Sequence, residues 1–266
     1  MLLKPRSLTK LLIISLSINL VGLLFGGFCI YKARNYLLSW FNRVTSRTIY
    51  KVTPLGFYGL KVNEFETLSH QTRHRKVIIF AGDSLVDGLE WHEHFPISNS
   101  GIILKRSISG ETLDRFIDRF EVTFLPEYDI LKVFIMIGIN DIRDSTFRIE
   151  TFTQKYHALL EKFLAFLPAD RICLHSLFPT RLENISNLQI KQVNSYLTAY
   201  AIGKRLCYID LYDQLTDSTG HLNVNYTYDG IHLSFEGYKI WLRALTPYVL
   251  NVMRGDGPDS LASQHP

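Results

Sequence analysis

From residue 76 onward, short apolar runs alternate with longer stretches of helical spacing. Residues 76–81 (KVIIFA) form a short run rich in β-branched residues, the signature of a buried strand. Residues 102–105 are a second, shorter strand candidate, and residues 131–137 (LKVFIMI) are the clearest. Residues 171–177 (RICLHSL), closed by Phe178-Pro179, and residues 206–211 (LCYIDL) complete a set of five. Between them lie helical patterns. Residues 112–124 place Leu113, Phe116, Ile117 and Phe120 on one face, and residues 152–167 do the same with Phe152, Tyr156, Leu159, Leu160, Phe163 and Leu167. Residues 187–203 form a helix that Gly203 is expected to stop. Residues 234–252 form the last, with Ser234 as N-cap and Glu236 in the first turn, where the helix dipole favours it. Strands alternating with helices of this length predict a parallel sheet covered on both faces, with any ligand at the carboxyl ends of the strands. No internal repeat is visible.

The pattern before residue 76 is different. Residues 11–31 (LLIISLSINLVGLLFGGFCIY) carry no charge and show no polar stripe. About 20 such residues cross a ~30 Å hydrocarbon core as a helix. The stretch is longer than a signal-peptide core, and no small-residue cleavage site follows it, so it reads as an uncleaved anchor. Lys4, Arg6 and Lys10 precede it, and Lys32, Arg34, Arg43 and Arg47 follow it, so the positive-inside rule is nearly balanced. The short basic N-terminus resembles a signal-anchor, which would hold the body outside the cytoplasm. Residues 35–51 interleave basic and apolar positions and read equally as an amphipathic helix on anionic lipid or as a plain helical stalk. The expected division is 1–10 basic N-terminus, 11–31 transmembrane helix, 32–75 juxtamembrane stalk and connector, 76–252 globular domain, and 253–266 a polar, disordered tail.

Charge changes the picture in one respect. The chain has 266 residues and a formal net charge of +4, with 29 Lys/Arg against 25 Asp/Glu. Residues 1–51 hold eight of those basic residues and no acidic one, so the remainder carries 21 basic against 25 acidic. The body is net acidic and shows no basic-aromatic platform, which argues against a nucleic-acid partner. The three cysteines make no disulfide framework at this size, and Cys173 and Cys207 read as small buried residues of strands.

The chemistry clusters where the strands end. Gly82-Asp83-Ser84-Leu85 follows the first strand, placing a serine on a turn that enters a helix. Ser107-Ile108-Ser109-Gly110-Glu111-Thr112 follows the second, with a glycine whose backbone N–H is able to approach a ligand closely. Gly138-Ile139-Asn140-Asp141 follows the third, with an amide in reach of the same crevice. Asp229-Gly230-Ile231-His232 precedes the last helix. Three residues apart on a turn, the carboxylate bonds one imidazole nitrogen and leaves the other free as a base. Singly, each segment reads as well as a cap or a turn. Asp83 reads as turn geometry, Arg143 as a surface arginine, and His175 as a satisfied interior histidine. His92-Glu93-His94 matches no standard metal-site spacing. Asn184-Ile185-Ser186 and Asn225-Tyr226-Thr227 are glycosylation sequons, relevant only in a eukaryotic secretory pathway.

Taken together and in chain order, Gly82-Asp83-Ser84, Gly110, Gly138-x-Asn140-Asp141 and Asp229-x-x-His232 resemble the SGNH (GDSL-type) hydrolase family, and so does the run Asp229-Gly230-Ile231-His232-Leu233-Ser234-x-x-Gly237-Tyr238. The resemblance spans roughly residues 76–250 and excludes the membrane segment and stalk. It implies a flavodoxin-like three-layer α/β/α sandwich around a five-stranded parallel sheet. It also implies Ser84 as nucleophile, His232 as base and Asp229 as its partner, with an oxyanion hole made by the N–H groups of Ser84 and Gly110 and the Asn140 amide. Neither metal nor cofactor is implied. The expected activity is ester hydrolysis on a membrane-anchored chain, with membrane lipid as a partner through the N-terminal helix. The substrate stays open between lipid esters, such as lysophospholipids, and O-acetyl groups on envelope polysaccharide. Two alternatives remain: acyl transfer to a sugar hydroxyl, and a binding module that keeps the fold without turnover.

Overall fold

The computed structural model describes residues 56–72, 74–95, 101–124 and 128–254. The apolar stretch 11–31, the basic segment 35–51 and the tail beyond Arg254 lie outside them. Among the described residues no helix is long and apolar enough to cross a membrane. The chain divides into two compact units, residues 1–60 and 61–266. The sheet and all the candidate site residues belong to the second.

The elements run α1 (Gly56–Gln71), β1 (Lys76–Gly82), α2 (Ser84–Asp87), α3 (Trp91–His94), β2 (Ile102–Ser107), α4 (Leu113–Asp118), α5 (Phe120–Phe124), β3 (Asp129–Met136), α6 (Ile139–Ile142), α7 (Ile149–Leu164), β4 (Ile172–His175), α8 (Asn187–Lys204), β5 (Cys207–Ile209), α9 (Tyr212–Leu215) and α10 (Phe235–Arg254). The strands form one five-stranded sheet in the order β2-β1-β3-β4-β5, every pair parallel. β1 is flanked by β2 on one side and β3 on the other, so the chain reverses its direction of travel across the sheet there. The carboxyl ends on either side of such a switch leave a crevice. Register keeps those ends level: Gly82 pairs with Ser107 on one side and with Met136 on the other.

β1 and β3 are buried on both faces, as a parallel sheet covered by helices requires. On one face Phe80 stacks on Trp91 of α3 and on Phe134 of β3, with ring centroids 4.4 and 4.8 Å apart. Trp241 of α10 meets Trp91, His175 and Phe178 edge-on, closing that layer. A second aromatic group, Phe116, Phe120, Phe124 and Phe163, joins α4, α5 and α7. Two bonds fasten the elements nearest the site: Trp91 Nε1 donates to the Val86 carbonyl, and Tyr238 Oη of α10 donates to the Leu85 carbonyl of α2 at 2.8 Å.

The structure departs from the sequence reading in several places, among them the end of β2, which runs on to Ser107. Residues 56–71, expected within a connector, are helical, and Phe65 of that helix is buried. The helix expected over 112–124 is two, broken where Arg119 leaves helical geometry (φ −92°, ψ 4°) and turns its side chain inward. Gly203 lies inside α8, which ends instead on Arg205 in the left-handed region (φ 57°). Cys173 and Cys207 form a disulfide, because the parallel register of β4 and β5 sets them side by side. His175 is buried, but neither ring nitrogen has a hydrogen-bond partner among the described residues, and burial holds its imidazole down at about 3. It serves as an uncharged ring between Phe134 and Trp241.

Gly82 ends β1 where no side chain fits. A Cβ there would lie 1.9 Å from the Met136 carbonyl oxygen and 2.7 Å from Val86. Gly82→Ala is therefore expected to push β1 from β3 and to cost about 1–3 kcal/mol, the usual range for over-packing. A lowered urea midpoint with unchanged slope would register it.

Candidate active site

Ser84 is the first residue of α2, directly after β1. Asp83 caps that turn, its carboxylate accepting from the Leu85 N–H at 3.0 Å. The loop before α10 brings His232 over the serine, with Nε2 2.9 Å from Ser84 Oγ. On the other side of the ring, Nδ1 lies 2.6 Å from Asp229 Oδ2. Asp229 Oδ1 accepts from the N–H groups of Ile231 and His232. Burial pushes the Asp229 carboxyl up, but the bonds from the His232 ring and these two N–H groups outweigh it, and the group is held at about 2. An ionised carboxylate only accepts hydrogen bonds, so Nδ1 carries the proton and Nε2 offers its lone pair to the serine hydroxyl.

This loop is fastened from two directions. Thr227 Oγ1 donates to the His232 carbonyl and accepts from the Gly230 N–H. The Gly230 carbonyl accepts from the Arg181 N–H and from Thr180 Oγ1, both on the segment after β4. The sequence marks Thr227 only as part of a sequon and gives no signal for Thr180. Thr180 acts across a separation of 50 residues, whereas Thr227 acts within its own turn.

The Gly110 loop is tied to the nucleophile helix through Asp87 of α2, which accepts from Ser109 Oγ at 2.7 Å and from Ser107 Oγ at 3.4 Å. Gly110 has φ +76°, and a Cβ there would meet no atom within 4 Å, so backbone angle rather than space calls for glycine. The loop after β3 holds the next residues. Asn140 Nδ2 donates to the Glu111 carbonyl at 3.0 Å, and the Asp141 carboxylate accepts from the Leu113 N–H. Asn140 thus stands beside Gly110, with one of its two amide hydrogens committed to the loop. Arg143 is exposed, as are His92, Glu93 and His94.

Three carboxyls crowd this end of the sheet. Asp83 is fully buried, and its Oδ2 has no hydrogen-bond partner among the described residues. Its carboxyl is pushed up to about 7. Burial is the main cause, opposed by the Leu85 N–H and reinforced by the Glu111 and Asp141 carboxylates. Burial likewise pushes Asp141 up to about 6 against its bond from Leu113, and raises Glu111 against its bonds from Arg119. A carboxyl raised in the folded state favours folding while protonated, and that contribution is lost as pH rises through the folded value. Stability is therefore expected to fall as pH rises through about 7. Asp83→Asn, neutral throughout, should lose less over the same window. Urea unfolding of both proteins at about pH 5.5 and about pH 8 checks this; a pH-independent difference between them would show that Asp83 does not titrate there.

Comparison with known proteins places this geometry. The GDSL-like Lipase/Acylhydrolase family matches residues 80–240. An N-acylneuraminate cytidylyltransferase of Escherichia coli O18:K1:H7 is 30% identical over 185 residues, covering 68% of this chain and 40% of that protein. The chain thus spans about two fifths of the length of this curated relative. Among solved structures, a platelet activating factor protein from Streptococcus pneumonia superposes with a TM-score of 0.65 at 24% identity, over 79% of this chain and 98% of its own. An acylhydrolase from Bacteroides fragilis gives 0.63 at 20% identity (72% and 96%), and a GDSL-like lipase from Bacteroides thetaiotaomicron gives 0.61 at 20% (73% and 98%). At these identities the structures speak for the fold, a five-stranded parallel α/β sheet shared with GDSL hydrolases, while the match over most of the catalytic unit speaks for descent: the chain belongs to the GDSL-like Lipase/Acylhydrolase family.

Proposed function

We propose that this protein is a serine esterase that hydrolyses acyl esters through a covalent acyl intermediate on Ser84. The observation that carries the reading is the unbroken chain of hydrogen bonds from Asp229 through His232 to Ser84. Ser84 Oγ attacks the ester carbonyl carbon as its proton passes to His232 Nε2. The tetrahedral oxyanion is held by the N–H groups of Ser84 and Gly110 and by the second amide hydrogen of Asn140. The C–O bond to the alcohol then breaks, and the imidazolium returns the proton to the departing oxygen. Water repeats the sequence in reverse roles and frees the carboxylic acid. Asp229, kept ionised, orients the ring and stabilises the imidazolium in both halves.

His232 and Asp229 leave 46% and 51% of their side-chain surface open. An open triad suits an ester on a bulky alcohol such as a glycan or a lipid headgroup. The same openness favours a second reading, in which a sugar hydroxyl replaces water and the acyl group is transferred. Assay of an O-acetylated glycan with and without an acceptor sugar separates the two. For location, the apolar stretch 11–31 supports a single-pass anchor. The Cys173–Cys207 disulfide supports an oxidising compartment, hence a catalytic domain outside the cytoplasm.

Fluorophosphonate labelling, which requires an activated serine, and turnover of p-nitrophenyl acetate test the reading directly. Ser84→Ala should abolish the label and lower kcat by on the order of 10⁴-fold or more. Asn140→Ala should remain folded and lose roughly 10²–10³-fold, the usual consequence of removing one oxyanion donor. Full turnover by Ser84→Ala would end the assignment.

A further inference from the structure

Beside the oxyanion glycine lies a buried pair of opposite charges. The Glu111 carboxylate is 0% exposed and the Arg119 guanidinium 1%. They meet in a fork: Arg119 Nε donates to Oε1 at 2.5 Å and Nη2 to Oε2 at 2.6 Å. Two of the three remaining guanidinium hydrogens are also placed. Nη1 donates to Thr123 Oγ1, and Nη2 reaches the Arg106 carbonyl in β2, both at 3.0 Å. The guanidinium lies over the ring of Phe116, 4.7 Å from its centroid, and over that of Phe65 at 5.4 Å. Phe65 also lies under Arg106. The pair is therefore clamped by β2, by α1 and by the break between α4 and α5.

A buried ion pair is weak evidence of stabilisation. The penalty for desolvating both charges often exceeds their attraction, and well-packed apolar residues of similar volume frequently do as well or better. What the fork supplies is geometry, because a bidentate pair fixes the carboxylate in plane and distance. Here it fixes the residue that follows Gly110. The backbone of that same residue accepts from Asn140 Nδ2. One residue thus joins two of the three expected oxyanion donors: Gly110 through the peptide bond and Asn140 through its carbonyl.

We propose that Arg119, acting through Glu111, is a positioning residue that holds the Gly110 N–H and the Asn140 amide in register for the oxyanion. It touches neither substrate nor reacting atoms. The inference rests on the esterase reading above and adds a residue to it that no active-site motif contains. A donor loop loosened by about 1 Å is expected to cost up to roughly 10²-fold in rate. The loss falls on kcat, because the oxyanion exists only along the reaction path and not in the bound ester.

The full chain and three variants decide the matter, each followed by melting temperature, by kcat and KM on p-nitrophenyl acetate, and by fluorophosphonate labelling. Arg119→Lys keeps the charge and loses the fork. The double variant Arg119→Met/Glu111→Leu removes both charges and relieves the desolvation penalty. Val249→Ala, a core truncation near the far end of α10, serves as a control for lowered stability. Expected are a kcat lowered by about 10- to 100-fold with KM within about twofold for Arg119→Lys, and the same loss in the double variant even where its melting temperature returns to that of the parent. Val249→Ala should melt earlier and keep its kcat. A double variant that recovers both melting temperature and kcat would overturn the proposal, since the pair would then serve charge balance alone. So would Arg119→Lys with parental kcat, a result that decides the question even where the double variant does not fold. If the parent chain itself neither labels nor turns over ester, the esterase reading fails instead.

Discussion

The site depends on an imidazole that must stay neutral on one side while it is bonded to a charge on the other. Asp229 makes this arrangement stable. Its carboxylate is tied down by two backbone N–H groups of its own turn before the His232 ring reaches it. The His232 ring and these N–H groups together keep the carboxylate ionised, and it dictates which ring nitrogen carries hydrogen. The turn around Gly230 sets the angle from which Nε2 approaches Ser84. That approach also needs α10 and α2 in fixed relation, which the Tyr238 bond to the Leu85 carbonyl supplies. The Ser84–His232 bond and this one run between the same two segments.

Acidic groups surround this arrangement, and their placement is costly. Asp83, Glu111 and Asp141 sit near one another at the carboxyl ends of β1, β2 and β3. They are held by a backbone N–H, by Arg119 and by the Leu113 N–H respectively. Each bond orients a loop that carries a catalytic candidate. Asp83 caps the turn of Ser84, Glu111 follows Gly110, and Asp141 follows Asn140. The loops are thus fixed by carboxyl side chains one residue away from the groups proposed to act. That arrangement lets the acting groups keep their own hydrogen-bonding capacity for a ligand.

Much of this is legible in the sequence, and the boundary of legibility is physical. All five strands are readable because apolar, β-branched runs in a parallel sheet carry their own signal. The end of β2, Arg106 and Ser107, is missed because Arg106 looks like a solvent-facing residue. Arg106 is buried, with its guanidinium donating to Tyr128 and the Lys105 carbonyl and lying over the Phe65 ring. The four candidate segments stand out in the sequence because each is local: a serine on a turn, or an Asp and a His three residues apart. The Cys173–Cys207 bond and the Thr180 fastening are not, because each depends on register between segments far apart in the chain. The break at Arg119 is hidden for another reason: the side chain turns in to a carboxylate eight residues earlier, which apolar spacing does not reveal.

Positions that fit their local environment poorly gather at one end of the sheet. Gly82 has no room for a methyl group, Asp83 keeps a buried oxygen without a partner among the described residues, and Gly110 adopts an angle that other residues avoid. Natural folds concentrate such features where function requires them and offset them elsewhere. Here the offset is visible in the aromatic layer of Phe80, Trp91, Phe134 and Trp241, packed directly beneath the crevice. That layer is buried and largely apolar, and burial keeps its one imidazole, His175, neutral. A stiff floor matters because Ser84, His232 and the donor loops come from four separate segments with no shared backbone. Their relative positions are only as well defined as the sheet ends that carry them, and a softer layer would leave the hydrogen bonds present while blurring the distances on which proton transfer depends.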